Sequence, residues 1–134
     1  MTLNATGPFD VKITPQDQPD QAAGTSLGRM LVEKTFHGDL AGAGRGQMLT
    51  FGADEVKGSA VYVLIERVTG TLGGKAGAFV LHHSAVMDRG QPSMSIRVAP
   101  DSGSGELKGL TGDLTIRIEP GGAHFYDFAY SLPA

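Results

Sequence analysis

Between Gly58 and Ser84 the chain reads GSAVYVLIERVTGTLGGKAGAFVLHHS, and side-chain character alternates along two runs, Ser59 to Thr71 and Lys75 to Ser84. In the first run Tyr62, Leu64 and Glu66 share one face, and Val61, Val63, Ile65 and Arg67 share the other. In the second, Phe79, Leu81 and His83 lie opposite Val80 and His82. A period of two is the signature of extended strands. Leu72-Gly73-Gly74 joins the runs, and two glycines supply the positive φ angles of a tight hairpin turn. Apolar residues on both faces predict long strands in a closed or well-covered sheet.

The same alternation recurs along the chain. Phe9 to Ile13 predicts a short first strand, preceded by a loose terminus over residues 1–8. The polar segment of residues 14–25, with Pro15 and Pro19, predicts a loop. Leu27 to His37 fits a strand, with Met30, Val32 and Phe36 on one face, better than a helix, because Gly38-Asp39 follows at once. Leu40 to Thr50, LAGAGRGQMLT, reads as a glycine-rich strand packed against bulky neighbours. It lacks the strand-to-helix context of a dinucleotide fingerprint. Phe51 to Lys57 and Asp88 to Pro92 read as turns. Strands follow over Met94 to Val98, Asp113 to Glu119 and His124 to Leu132, with the loop Asp101 to Gly105 between the first two. The last strand places His124, Tyr126, Phe128 and Tyr130 on one face. About eight strands with short turns, and little room for a helix, predict an all-β single domain over residues 1–134. An antiparallel eight-stranded barrel is the first choice, since closure removes sheet edges, and a β-sandwich is the alternative.

Composition narrows the function. The 134 residues carry 11 basic and 14 acidic side chains, and no basic run exists, which argues against nucleic-acid binding. Cysteine is absent, so neither disulfide nor thiolate chemistry is available. No basic-then-apolar leader opens the chain and no apolar run reaches the length of a membrane-spanning helix, so a cytoplasmic location without a membrane partner is expected. The four histidines, His37, His82, His83 and His124, form no metal-ligand spacing, and no cofactor motif is present.

Three groups of residues carry candidate chemistry. Glu66 shares a face with Tyr62 and Leu64. If that face is interior, its carboxyl is either paired or protonated, and is a candidate general acid or base. His82 and His83 point to opposite faces, and His83 shares parity with Phe79 and Leu81, which makes it the interior one. His124, Tyr126 and Tyr130 offer polar handles on an aromatic wall. Each has a structural alternative: pairing with an arginine, a hydrogen-bonded core histidine, or packing of the last strand.

Five segments, KTFHGDLAG (Lys34 to Gly42), YVLIERVTGTLGG (Tyr62 to Gly74), GAFVLHH (Gly77 to His83), PDSGSGELKGLTG (Pro100 to Gly112) and HFYDFAYSL (His124 to Leu132), resemble the small bacterial DUF3224 family in order and over nearly the whole chain. The resemblance implies a compact antiparallel barrel with a central cavity, similar in fold to plant allene oxide cyclase. It singles out Glu66, His83 and His124, with Tyr62, Tyr126 and Tyr130 nearby, and implies no established activity. Family members often carry a tryptophan soon after the first strand, where this chain reads ITPQDQ.

The expected function is binding of a small, partly apolar or amphipathic molecule inside the barrel. Tyr62, Glu66, Phe79, Leu81, His83, His124, Tyr126, Phe128 and Tyr130 are the candidate pocket. The enzymatic alternative is a cofactor-independent isomerase or cyclase, with Glu66 or His83 as base and His124 or Tyr126 as acid or oxyanion donor. A structural or oligomeric module is the third reading, with a homodimer as the default assembly.

Overall fold

In the computed structural model, which describes all 134 residues, ten strands and no helix make up the chain. The strands are β1 (Leu3–Pro15), β2 (Asp20–Ala22), β3 (Thr25–Phe36), β4 (Leu40–Ala53), β5 (Ala60–Leu72), β6 (Lys75–Asp88), β7 (Gln91–Val98), β8 (Ser104–Gly105), β9 (Thr111–Ile118) and β10 (His124–Ser131). Neighbours pair antiparallel in the order β1-β10-β9-β7-β6-β5-β4-β3, and β1 pairs β3 to close the ring. The result is an eight-stranded barrel, with β2 and β8 as short additions on β3 and β6. The central hairpin is β5–β6: Leu72 pairs Lys75, and Gly73 and Gly74 take φ of 57° and 85°, which a two-residue type I′ loop requires.

The N-terminus departs from expectation. Residues 1–8 are not loose, because Leu3 to Phe9 pair with β10, and Phe9 to Pro15 then pair with β3. One long strand thus seals the barrel. Its Gly7-Pro8 step reads as a chain breaker, yet each residue fits a structural need. A side chain at Gly7 would collide with the His37 carbonyl, and the Pro8 carbonyl accepts the His37 N–H at 3.0 Å. Residues 14–25 are only partly loop: they hold the end of β1, the start of β3 and the short β2 between them. β4 likewise runs on to Ala53, beyond the expected turn at Phe51.

One end of the barrel is packed solid. Leu40, Leu72, Phe79, Phe128 and Tyr130 fill it, and Leu107 and Leu110 from the segment after β8 cap it from below. A smaller cluster of Val32, Met48 and Leu64 lies toward the other end. The sheet is closed, as expected, and its outer face carries exposed apolar residues: Leu49, Val63 and Ile65 on β4 and β5, Ile65 by 64%.

Candidate functional site

Strand parity delivers three ionisable side chains to the barrel interior. Lys34 follows Val32 on β3, Glu66 follows Leu64 on β5, and His83 follows Leu81 on β6, and all six are buried. Burying that much polarity is tolerable only if the groups satisfy one another. Lys34 Nζ donates to Glu66 Oε2 at 2.9 Å, with the two side chains 6% and 1% exposed. His83 Nε2 lies against the same oxygen in close contact, though its direction falls outside strict hydrogen-bond geometry. The contact still fixes the tautomer: an ionised carboxylate only accepts, so the nitrogen facing it is the protonated one. His83 Nδ1 and Glu66 Oε1 are left buried without a partner.

Burial pushes the Glu66 carboxyl upward, but the His83 contact and the Lys34 charge outweigh it, so its pKa lies below the ordinary value. His83 is lowered as well, chiefly by burial, with the Lys34 charge adding to it and Glu66 opposing. At neutral pH Glu66 is therefore a carboxylate, paired with Lys34, beside a neutral imidazole. Tyr62 sits half-buried nearby, its phenol raised by burial and then by the Glu66 charge.

The neighbouring strand makes room for this group. The inward positions of β4 after Leu40 are Gly42, Gly44 and Gly46. A Cβ at Gly44 would lie 2.9 Å from Glu66 Oε1 and 3.2 Å from the Phe36 ring. Gly44 is therefore a recess for the Glu66 carboxylate, and Gly42 and Gly46 let β5 approach closely, in accord with small residues packing against bulky neighbours.

Above the charged group the barrel is hollow. A cavity of about 310 Å³ is lined by 13 residues, 10 of them hydrophobic, and Lys34, His83 and His124 are its polar exceptions. Val11, Val32, Met48, Leu64, Met94 and Ile116 supply much of its wall, and Tyr62 stands at its side. Ile13 and Ile118 line the same cavity and are more than half exposed, which marks its mouth. A second hollow of about 270 Å³ shares Met48, Tyr62 and Met94 with it and extends it along β5 and β6. The His124 and Phe9 ring centroids lie 5.3 Å apart, and Lys34 Nζ sits over the Phe9 ring, 5.4 Å from its centroid.

The sequence-predicted residues divide between the two halves. His83 lines the floor of the cavity, Glu66 lies against it outside the lining, and Tyr62 and His124 stand on the wall. Phe79, Leu81, Phe128 and Tyr130 belong to the packed end and do not line the cavity. Tyr126 is fully buried away from it: its hydroxyl donates to the His37 carbonyl at 2.7 Å and accepts from the Leu40 N–H at 2.8 Å. Those bonds tie β10 to the β3–β4 turn, so the structure gives the Tyr126 hydroxyl a structural task and not the acid role. The reason for the split is that parity selects a face of a strand but not a height along the barrel. Lys34 escaped the sequence reading although it shares parity with Val32 and Phe36. A lysine on an apolar face was the available signal.

The fold has a counterpart among solved structures. The model of the family described as "Protein of unknown function (DUF3224)" matches residues 5–130. The crystal structure of a protein with unknown function from the DUF3224 family, from Shewanella oneidensis MR-1, superposes with a TM-score of 0.92 at 43% identity, covering 100% of both chains. No curated protein matches the chain. With nearly its whole length matched by the family model, the chain belongs to the DUF3224 family.

Proposed function

We propose that this protein is a binding barrel for a small, predominantly apolar molecule held in the hollow half of the fold. The observation that carries the reading is the contrast between the halves: one end is packed with large side chains, while the other keeps about 310 Å³ free over a buried polar floor. Protein interiors normally close such space, and small-molecule pockets run to roughly 300–1,000 Å³ with mostly apolar walls and a few placed polar groups. The size favours a compact ligand. Methyl-resolved NMR during titration with indane, a rigid hydrocarbon of suitable size, tests this. Methyl signals of Val32, Met48, Met94 and Ile116 should move, and those of Leu40, Leu72 and Leu107 should stay. Unmoved cavity methyls at indane saturation would remove the reading.

A second reading, a cofactor-independent isomerase on the same cavity, is supported by the Glu66–His83 pairing. Glu66 faces Nε2, which leaves Nδ1 as an unprotonated base on a cavity-lining residue. The test is deuterium exchange at the α-carbon of 1-indanone in D2O. Acceleration lost in His83→Gln supports proton abstraction, and exchange no faster than in buffer alone argues against it.

A further inference from the structure

Resting on the binding-barrel reading, we infer that the ligand is a neutral molecule with a hydroxyl group, which enters polar end first and donates its O–H to His83 Nδ1 on the cavity floor. Three observations lead there. His83 is 3% exposed and lines the cavity, its Nε2 faces the Glu66 carboxylate, and its Nδ1 has no partner. A buried acceptor without a donor is costly, and a ligand that supplies the donor recovers that cost on binding. Beside it, Lys34 lines the same cavity and makes one hydrogen bond, to Glu66, although an ammonium has three N–H donors. Just beneath the cavity surface the structure therefore holds an unmet acceptor, Nδ1, beside spare donor capacity on Lys34.

The chemistry of head groups then discriminates. A ketone or ether accepts from Lys34 but leaves Nδ1 unmet. A carboxylate also only accepts, and it brings a second anion toward Glu66, whose charge Lys34 already balances. An amine in its cationic form donates, but it meets the Lys34 ammonium in a site of low dielectric. A hydroxyl both donates and accepts and adds no charge. The remaining wall is hydrophobic, and the other partnerless acceptor, Glu66 Oε1, lies against Gly44 on β4 and belongs to a residue outside the lining, so the rest of the ligand is hydrocarbon.

The test compares four probes of one shape: indane, 1-indanone, 1-indanol and indane-1-carboxylate. Binding is followed through the cavity methyls of uniformly labelled protein, and the head-group contact through the His83 ring ¹⁵N resonances. The expected result is that 1-indanol binds at least about tenfold more tightly than 1-indanone or indane, and that it alone moves Nδ1 strongly. Equal binding of 1-indanol, 1-indanone and indane, with Nδ1 unmoved, overturns the hydroxyl assignment and leaves the cavity reading intact. Tightest binding of the carboxylate overturns it too. If no probe moves the cavity methyls, both readings fall.

Discussion

Lys34, Glu66 and His83 place two opposite charges and an imidazole where solvent hardly reaches. Such a group stands or falls as a unit, because removing one partner strands the others. Lys34→Met leaves the Glu66 carboxylate buried without its counter-charge, and a loss of about 3–5 kcal/mol is expected in urea unfolding. Lys34→Met with Glu66→Gln contains no buried charge and should lose less than the two single changes summed, by about 1–3 kcal/mol. Simple additivity would mean that the two side chains do not act together. The pH dependence has a definite sign. His83 and Glu66 both hold folded pKa values below their ordinary 6.5 and 4.5, so the unfolded chain binds more protons as the medium becomes acidic. Their contribution is complete above about pH 6.5 and is lost as pH falls, first through the His83 range and then through that of Glu66. Thermal unfolding measured from pH 8 to pH 4 should show the midpoint falling on the acid side, and a flat profile would contradict the assigned protonation states. Glu66 and His83 were legible from the period of two alone. Lys34 was equally placed by that rule, but a lysine's long stem and mobile charge make an exposed position the ordinary expectation.

At the scale of the strand, β4 shows how sequence and site fit together. Three inward glycines in seven residues give up side-chain packing and β-propensity; β5 comes close against Gly42 and Gly46, and the space at Gly44 is taken by the Glu66 carboxylate and the Phe36 ring. Gly44→Ala should therefore destabilise the protein by about 1–3 kcal/mol, through overpacking against those two groups. Differential scanning calorimetry checks it, and an unchanged or raised midpoint would show that the recess has slack. Strand identity was readable for β3 to β7, β9 and β10, because each alternates and ends at glycine or proline. β1 was not, since its first half contains only Ala5 and Phe9 as buried apolar residues and is interrupted by Gly7-Pro8. Its pairing is decided by β10, more than a hundred residues away, and no local pattern encodes that. β8 escaped for a related reason. It is two residues long and takes the edge of β6 just beyond the end of β7.

For the molecule as a whole, closure of eight strands was legible from strand count and alternation, and the DUF3224 resemblance agreed with it. The division into a packed end and a hollow end was not, because it depends on which inward residues share a level of the barrel. Phe79, Phe128 and Tyr130 look no different in sequence from cavity walls. They become packing because the hairpin ends at Leu40 and Leu72 and the segment carrying Leu107 and Leu110 close over them. Toward the mouth, inward positions carry Val11, Met48, Met94 and Ile116 instead, and every residue lining the cavity belongs to a strand. The central claim is that this half is an apolar container. Its most direct test is a crystal structure under xenon pressure, since xenon settles in apolar space that water does not hold. Xenon should occupy the volume bounded by Val32, Met48, Leu64 and Ile116, above His83, and none should enter the packed end. A cavity free of xenon and filled with ordered water, or xenon found only among Leu40, Leu72 and Leu107, would contradict the account.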